Sequence, residues 1–544
     1  MIRVTSPQIK IRARTLARFA RVRPQDFIQE AIAMPPLEST SALEPPKAAS
    51  VRSSWRIFLA AAILLLLAGT ALRLYHLGVR SLWFDEAVTA NTSTGTLVHM
   101  LEETRERLTS AIVYPCMLYV TEKVSITAWA VRMPSMLASI LTIVVTLAMI
   151  RAKVNRNAVL FAAAILAISA SQIRYAQEVR EYSLSALWGA CMIYCFLRWE
   201  SAGSRDRQPA LLYAALFIAP LIQYGLVFLA CGVLVTMVLR LLMTRDTPFE
   251  AIHAIAGSAC LAAGAVLSFF LTLRDQYRTG GRGHWYLASE YFDAKTMKLF
   301  HFLSTNSIYL LRFLIPGHLF DLLVVFAAVA FCIMQVIRRR YHSITLLLFS
   351  SLLINMAASI ANVYPYGGVR QCLFLAPAVA LFVGVAFADL TQRLSVFVRP
   401  LATVALLVVI AGSLYRETIR EWPYAEYEDT KSILRTLQTE IGPNDEVWVN
   451  HDAAEAIEFY MQGRDQRFVY GKYRGEEPQG YAPELLGSID SHRKRVWLIF
   501  SHIQQPSDRA QEEFIVSSLQ SGWEVHRVIS PKNAELYVAN RKGQ

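Results

Sequence analysis

The chain has 544 residues, of which 54% are hydrophobic and 18% are charged, with a mean hydropathy of +0.34 and a net charge of +12. This composition is too apolar for a soluble protein and too charged for membrane spans alone, so it indicates a polytopic membrane protein with a soluble part. The basic residues lie between apolar runs, as topology signals do, and no basic helix interleaved with aromatics or glycine-rich nucleotide loop is evident. A nucleic-acid partner is therefore not expected. The seven cysteines fall in or beside apolar segments without the spacing of a zinc site, so no structural zinc or disulfide framework is predicted.

The first apolar run, "WRIFLAAAILLLLAGTALRLYHL", extends from Trp55 to Leu77 and is long enough to cross a bilayer as a helix. Residues 1–54 before it are arginine-rich and then rich in Pro, Ser and Glu, which predicts a largely disordered cytoplasmic tail. Because basic residues favour the cytoplasmic side, the loop after Leu77 is predicted to lie outside.

Ten further apolar runs follow the first. They are 133–150, 158–173, 182–199, 211–222, 223–241, 252–273, 318–337, 343–362, 371–388 and 400–415. The stretch 211–241 is divided at "PLIQYG", where Pro220 and Gly225 weaken a helix. Alternation of the basic loops predicts eleven spans with the amino end inside and the carboxyl end outside, thirteen being the alternative. The amphipathic segment from Leu108 to Trp129 is predicted to lie along the outer surface instead of crossing.

From residue 416 onward the pattern changes to alternating helices and strands. "EWPYAEYEDTKSILRTLQTEIGPNDEVWVN" predicts a helix, a Gly-Pro turn and a strand, "KRVWLIFSH" predicts a strand, and "SDRAQEEFIVSSLQSGWEVHRVI" predicts a helix followed by a strand. This pattern is typical of a small α/β domain. The predicted organisation is a cytoplasmic tail at 1–54, a membrane domain at 55–415 and an extracytoplasmic α/β domain at 416–544.

Polar side chains collect on the loops that are predicted to lie outside. They are Asp85 and Glu86 in "SLWFDEAVTA", Arg174 to Tyr182 in "RYAQEVREY", Gln223 and Tyr224, and Tyr364, Tyr366 and Arg370 in "VYPYGGVRQ". Each arginine alone is typical of an interface anchor, and Asp85–Glu86 alone of a solvated helix cap. As a group at one membrane depth, they indicate a functional site.

Several of these stretches occur in the order found in one family of membrane enzymes. "SLWFDEAVTA", "AVRMPSMLASILTIVVTLAMI", "RYAQEVREYSL" and "EWPYAEYEDTKSILRTL…GPNDEVWV" resemble segments of the dolichyl-phosphate-mannose protein mannosyltransferases and the lipid A aminoarabinose transferases, which are GT-C glycosyltransferases. The resemblance runs from about residue 55 to the end of the chain. The chain departs from the family where relatives often have "HPP" (here Tyr114 and Pro115), where they often have "HY" (here Gln223–Tyr224), and at Glu181, where they commonly have an apolar residue.

The resemblance implies a polytopic α-helical GT-C fold with a small C-terminal α/β soluble domain. It also implies transfer of a sugar from a polyprenyl phosphate to an acceptor outside the bacterial cytoplasmic membrane. Loss of a lipid phosphate requires positive charge, for which Arg370 and Arg180 are the candidates because guanidinium grips phosphate through two hydrogen bonds. Attack by an acceptor hydroxyl requires a general base, for which Asp85 is the candidate, with inversion at the anomeric carbon.

The remaining candidates assist these groups. Glu86 is expected to orient Asp85, an arginine or the acceptor, and Glu178 to bind the sugar or pair with an arginine. Tyr182, Tyr224 and Tyr114 are expected to contact substrate. No cofactor is expected, because arginines supply the charge that a metal would; a divalent cation on Asp85, Glu86 and Glu178 is the less favoured alternative.

Two other functions are compatible with the pattern. A polysaccharide flippase or transporter would place ionisable or helix-breaking residues near the midplane of several spans, whereas the apolar runs here are nearly free of charge. A ligase-like transferase for O-antigen would lack the Asp-Glu pair after the first span and the α/β tail. The sequence leaves open which sugar is moved and whether the acceptor is lipid A, an envelope glycan or a protein.

Overall fold

A computed structural model of the chain describes residues 48–107, 110–202, 209–244, 248–278, 287–315, 318–338, 342–393, 425–462, 467–471 and 493–543, with single residues at 412, 485 and 487. The predicted tail, apart from its last residues, and the predicted span at 400–415, apart from residue 412, lie outside the described residues.

The described part up to residue 393 is helical. Its α-helices are α1 (Ala48–Leu74), α2 (Phe84–Thr92), α3 (Leu97–Glu106), α4 (Val113–Glu122), α5 (Ala128–Ala148), α6 (Arg156–Ile168), α7 (Ala170–Ala176), α8 (Tyr182–Ser201), α9 (Pro209–Ile222), α10 (Leu226–Thr244), α11 (Pro248–Ser268), α12 (Arg274–Arg278), α13 (Leu299–Leu314), α14 (His318–Arg338), α15 (Ser343–Ile360) and α16 (Ala376–Arg393). A π-helical turn, Phe269–Leu273, joins α11 to α12, and short 3₁₀ turns lie at Met149–Ala152, Ala288–Glu290 and Arg370–Leu375.

Six helices within the described residues are long and apolar enough to span a membrane. They are Trp55–Leu74, Ala128–Ala152, Leu226–Met243, Ala251–Gln276, Ser343–Ile360 and Arg370–Arg393, and the bent pair α6–α7 would add a seventh. The chain is therefore a multi-pass membrane protein, while the predicted count of eleven spans is not confirmed. Helix α9, for example, has 14 residues, about 21 Å, which is shorter than the bilayer core.

The helical prediction is confirmed at one break and misses one helix. The break inside 211–241 falls at residues 223–225, between α9 and α10. The described part of the segment Leu108 to Trp129, from residue 110, holds the 10-residue helix α4, too short to cross, and the first two residues of α5. Helix α13 was not predicted, because its apolar residues alternate with polar ones in a stretch read as a loop.

Small residues bring several helices into close contact. A Cβ on Gly384 of α16 would lie 2.3 Å from the Ala158 carbonyl oxygen of α6, and one on Gly264 of α11 would lie 1.9 Å from the Phe217 carbonyl oxygen of α9. Such crossings pack tightly only because no side chain intervenes.

The bend between α6 and α7 determines where one part of the site lies. Ser169 has an extended backbone, with ψ 125°, and the two helix axes differ by 57°. The chain after the bend therefore turns away from the axis of α6 and carries Arg174 and Glu178 to the end of the helical domain where α1 ends.

The C-terminal region forms a five-stranded sheet between helices, as the predicted α/β pattern requires. Its elements are α17 (Thr430–Glu440), β1 (Glu446–Val449), α18 (His451–Met461), β2 (Phe468–Tyr470), β3 (Arg495–Ser501), α19 (Pro506–Leu519), β4 (Trp523–Ile529) and β5 (Ala534–Arg541). The strand order is β2-β1-β3-β5-β4, with β1 parallel to both neighbours and β5 antiparallel to both of its own.

Alternating side chains of the central strands fill two cores. Val447 and Trp497 face α17, whereas Trp448 and Leu498 face α19. This two-residue period is what a sheet covered on both faces requires. Strands β2 and β5 and helix α18 were not predicted, since their short or mixed sequences carry little period of their own.

The α/β domain packs directly on the loop that follows α1. The Lys431 ammonium donates to the Gly78 carbonyl at 2.7 Å, and the Tyr460 hydroxyl accepts from the Leu82 amide at 2.7 Å. The Glu455 carboxylate accepts from the Asn91 amide at 2.9 Å and also pairs with Arg107. The domain therefore forms one wall of the region around helix α2.

Candidate active site

Helix α2 begins at Phe84 and places the Asp-Glu pair in its first turn. Glu86 is buried and forms a two-bond ion pair with Arg132 of α5, at 2.9 Å from Nε and 2.7 Å from Nη2. The Val179 amide also donates to Glu86, at 2.9 Å. Burial opposes ionisation of Glu86, but Arg132 outweighs it, so the pKa lies below the usual glutamate value.

Arg132 also fixes the loop that precedes α2. Its guanidinium donates to the carbonyl oxygens of Leu77, Arg80 and Ser81 at 3.1, 3.0 and 2.9 Å. The Glu86–Arg132 pair thus joins α2, α5 and the loop. Its hydrogen-bond donors and acceptors bond to groups of the protein itself.

Asp85 points the other way and meets Arg370. Arg370 Nη2 donates to Asp85 Oδ2 at 2.6 Å, and the two side chains are 18% and 23% exposed. Burial would raise the pKa of Asp85, but Arg370 and Arg180 outweigh it, so the carboxyl is ionised at a lower pH than usual. This ion pair remains accessible, unlike the one at Glu86.

Aromatic rings border the Arg370 guanidinium. It lies 5.2 Å from the centre of the Trp83 ring and 5.6 Å from that of Tyr182. Among the described residues, Asp85 is its only hydrogen-bond partner, so the other N–H groups of this guanidinium remain available.

Arg180 lies beside this pair on the turn before α8. It donates to the Thr89 hydroxyl at 3.2 Å and to the Tyr182 hydroxyl at 3.3 Å, and its Nε is 3.8 Å from a Glu181 carboxylate oxygen. That Nε is buried and has no hydrogen-bond partner in the part of the chain that the structure describes.

A third carboxylate–arginine pair follows α7. Arg174 Nε donates to Glu178 Oε1 at 2.9 Å, while Glu178 Oε2 is buried without a partner among the described residues. Burial raises the pKa of Glu178, and nearby Glu86 adds to the effect against the opposition of Arg174.

Residues 425–427, which shortly precede the α/β domain's helix α17, also contact this group of side chains. The Tyr427 ring lies under the Arg174 guanidinium at 3.9 Å and beside the Trp83 ring at 4.8 Å. Arg80 donates to the Ala425 carbonyl at 3.1 Å. One wall of this region is therefore built by a segment that is 345 residues from Arg80 in the sequence.

The structure thus brings Asp85, Glu86, Glu178, Arg180, Tyr182 and Arg370 together. Two predicted substrate-binding tyrosines have internal partners instead. The Tyr114 hydroxyl is buried and bonds to Ser135 at 2.7 Å. The Tyr224 hydroxyl bonds to Thr272 at 3.0 Å and Gln276 at 2.8 Å, and no contact joins it to Asp85 or Arg370 among the described residues.

Sequence reasoning missed Arg132, Tyr427 and the pair His502–Glu428. Arg132 lies in the stretch "AVRMPS", which the family resemblance includes, but the sequence does not indicate that it pairs with Glu86. The others belong to a domain whose docking position no local pattern encodes.

The carboxylates do not form a cation-binding cluster. Among the described residues, no group of three or more His, Cys, Asp or Glu side chains has the geometry to hold a metal ion. Asp85, Glu86 and Glu178 each pair with a different guanidinium instead.

The helical domain with its docked α/β domain shares the fold of two solved proteins, as the resemblance of its motifs predicted. The chain resembles the crystal structure of ArnT from Cupriavidus metallidurans bound to undecaprenyl phosphate, with a TM-score of 0.52 at 13% identity over 89% of this chain and 98% of that one. It also resembles the apo oligosaccharyltransferase from Archaeoglobus fulgidus, with a TM-score of 0.52 at 13% identity over 90% of this chain and 75% of that one. No protein-family model and no curated protein matches the chain.

Proposed function

We propose that this protein is an inverting glycosyltransferase that moves a sugar from a polyprenyl phosphate to a hydroxyl acceptor at the outer face of the bacterial cytoplasmic membrane. The single observation that carries the proposal is the accessible Asp85–Arg370 ion pair beside a second arginine, Arg180, and the aromatic rings of Trp83 and Tyr182. A base and spare guanidinium N–H groups at the end of a span are what transfer from a lipid phosphate requires. The ArnT structure, which holds undecaprenyl phosphate, supports this donor class.

Arg370 and Arg180 bind the donor phosphate in this mechanism. Both have N–H groups unused by the described residues, and both lie close to Tyr182. As the bond between the anomeric carbon and the phosphate oxygen breaks, negative charge grows on the phosphate and the two guanidiniums stabilise it.

Donor binding also prepares Asp85 as the general base. While paired with Arg370, Asp85 has a lowered pKa and is a weak base. A phosphate that takes Arg370 from it removes the largest favourable contact of the carboxylate, so the pKa of Asp85 rises only when donor is present. Asp85 then takes the acceptor proton while the acceptor oxygen attacks the face of the sugar opposite the phosphate, which inverts the anomeric carbon.

Glu86 and Glu178 have supporting roles. Glu86 positions Asp85 by holding α2 to Arg132. Glu178 has one oxygen in a pair with Arg174 and one without a partner among the described residues, which suits a hydrogen bond from a sugar hydroxyl. The mechanism needs no metal, because Arg370 and Arg180 supply the positive charge at the leaving phosphate and Glu86 and Glu178 stay paired with Arg132 and Arg174.

The test is transfer by the purified full-length chain in nanodiscs. The donors are undecaprenyl phosphates carrying mannose, aminoarabinose, galacturonic acid or arabinofuranose, and the acceptor is envelope extract from a strain that lacks the chain. We expect one donor to be used without added metal. We expect Asp85→Asn to reduce the rate by about 10²–10⁴-fold while it binds undecaprenyl phosphate no more weakly than the parent, since the asparagine no longer competes as a carboxylate for Arg370. Transfer by Asp85→Asn at the parent rate would exclude Asp85 as the base.

A further inference from the structure

Two titratable side chains of the α/β domain face helix α2 and have no role in the mechanism above. The His502 ring lies 5.0 Å, centre to centre, from the ring of Phe84, which immediately precedes Asp85. Asp85 and His502 also interact electrostatically. His502 therefore lies beside the proposed base.

His502 and Glu428 form an oriented dyad. His502 Nδ1 is 2.6 Å from Glu428 Oε1, and the Glu428 side chain is fully buried while that of His502 is 30% exposed. Because an ionised carboxylate can only accept, Nδ1 carries the proton and the lone pair of the neutral ring is on Nε2. No described residue forms a hydrogen bond with Nε2.

The sheet topology places this dyad where α/β domains bind ligands. Strands β1 and β3 are parallel neighbours, and the chain reaches β2 on the far side of β1 before it returns to β3, so the strand order changes direction between β1 and β3. Ligands of open α/β sheets bind outside the carboxyl ends of the strands at such a point. His502 directly follows β3 and Asn450 directly follows β1, and Asn450 Oδ1 is buried without a partner among the described residues.

The backbone at His502 is also in a conformation that few residues adopt. Its φ is +64°, in the left-handed region. Non-glycine residues adopt this region infrequently, and such residues cluster at active and ligand-binding sites. The residue in this conformation places its ring against Phe84 of α2.

We infer that His502 is an acceptor-binding residue whose Nε2 accepts a hydrogen bond from a hydroxyl of a carbohydrate acceptor, and that Glu428 is the positioning residue that fixes the imidazole. The inference rests on the proposed function. The His502 ring packs on Phe84, the residue before Asp85, so the carboxylate and Nε2 offer two hydrogen-bond acceptors near the start of α2. Such a site fits a molecule with neighbouring hydroxyls, such as a sugar headgroup or glycan, better than an isolated serine or threonine hydroxyl. One hydroxyl donates to Nε2 while its neighbour loses its proton to Asp85 and attacks.

This role predicts a pH dependence, because only the neutral imidazole accepts. The charged groups that face the ring are Glu428, Asp452 of α18 and Asp85 of α2, with His451 and Asp508 next to Asp452. Burial alone would lower the pKa of His502, but the carboxylates, Glu428 first, outweigh it, so the pKa lies above the ordinary 6.5. The acceptor KM should therefore rise as the pH falls through that raised pKa.

The experiment uses the full-length chain in nanodiscs with His502→Asn and Glu428→Gln. Asparagine tolerates positive φ and keeps a donor for Glu428 but lacks Nε2. We expect His502→Asn to raise the acceptor KM about tenfold, the loss of one hydrogen bond, with an unchanged Kd for undecaprenyl phosphate and no remaining pH dependence of the acceptor KM. Glu428→Gln should shift the pH midpoint of the KM downward, because the imidazolium loses its carboxylate.

A second measurement does not depend on transfer. Modification of His502 by diethyl pyrocarbonate, read by peptide mass spectrometry, should follow the neutral ring with a midpoint above pH 6.5 in the parent and lower in Glu428→Gln. Envelope extract from the deletion strain should protect His502. Failure of every donor with Asp85 intact would overturn the proposed function, and protection would then still decide whether the dyad binds an acceptor.

Three results would overturn the inference itself. The first is an unchanged acceptor KM in His502→Asn. The second is a loss of undecaprenyl phosphate binding in His502→Asn as large as its loss of acceptor binding, which would indicate a structural role. The third is equal modification of His502 with and without extract. Protection by a serine- or threonine-rich peptide but not by glycan would replace the carbohydrate acceptor with a protein one.

Discussion

Arg370 and Arg132 hold similar carboxylate partners but differ in what surrounds them. The Arg370–Asp85 side chains are 18% and 23% exposed, whereas those of Arg132–Glu86 are 1% and 2% exposed. An accessible pair can exchange its partner for a ligand, while a buried pair cannot do so without leaving a charge unpaired. The Arg370–Asp85 pair is therefore suited to binding a ligand, and the Arg132–Glu86 pair to stabilising the structure around the site.

The difference gives a matched prediction for Arg132→Met and Arg370→Met. Arg132→Met should destabilise the protein by about 3–5 kcal/mol, because it leaves Glu86 buried and unpaired. Arg370→Met should leave thermal unfolding in detergent nearly unchanged but abolish the stabilisation by undecaprenyl phosphate. Equal unfolding temperatures for Arg132→Met and the parent would contradict the structural role of that pair.

Arg370→Lys tests whether the geometry of the guanidinium matters. A lysine keeps the charge but not the planar fork that grips two phosphate oxygens. We expect slower turnover with partial retention of undecaprenyl phosphate binding, measured by titration in nanodiscs, and loss of both in Arg370→Ala. If Arg370→Ala binds and turns over as the parent does, Arg370 is only an interface anchor.

At this scale, the sequence predicted which loops carry the polar groups but not how those groups pair. Asp85, Arg180 and Arg370 were found because they belong to a group of polar residues at one predicted membrane depth and to stretches that resemble a known family. Their neighbours Arg132, Tyr427 and His502 were not found, because contacts between residues tens to hundreds of positions apart leave no local pattern.

Helix positions followed from hydrophobic runs, but breaks and crossings depended on single residues. The division at residues 223–225 was predictable, because Pro220 signals it. The bend at Ser169 was not, because no proline or glycine marks it. Close helix crossings are likewise set by individual glycines.

Helix α11 offers a matched pair of glycines for testing this packing. A Cβ on Gly264 would meet the Phe217 carbonyl oxygen at 1.9 Å, whereas one on Gly257 would meet leucine methyl groups at 3.0 and 3.1 Å. Gly264→Ala should therefore destabilise the protein by about 1–3 kcal/mol, because backbone must move. Gly257→Ala should have little effect, because leucine tips can shift. Unfolding temperatures in detergent that are equal for the two variants would contradict this account of the α9–α11 crossing.

For the whole molecule, the important feature is that the α/β domain supplies part of the site wall. Glu455 secures it by accepting from Asn91 and pairing with Arg107. Composition and strand patterns predicted that such a domain exists. They did not predict the order of its strands, because that order depends on packing between distant segments.

Glu455→Ala should loosen the docked domain. Hydrogen bonds to a charged group contribute about 1.5–3 kcal/mol, so the undocked fraction should rise about tenfold or more, and limited trypsin cleavage around the domain should accelerate accordingly. Glu524→Ala, on the 66%-exposed Glu524 side chain of β4, is the control and should leave cleavage unchanged. Equal cleavage rates for the two variants would mean that Glu455 does not hold the domain.

The central claim, that this protein glycosylates an envelope acceptor from a polyprenyl-phosphate sugar, is tested most directly by lipid and glycan mass spectrometry of a deletion strain. The strain is complemented with either the parent chain or Asp85→Asn. The account predicts that one sugar substituent is missing from an envelope component in the deletion strain, returns with the parent chain and stays absent with Asp85→Asn, while its polyprenyl-phosphate donor accumulates. Identical envelope lipids and glycans in the deletion and complemented strains would contradict it.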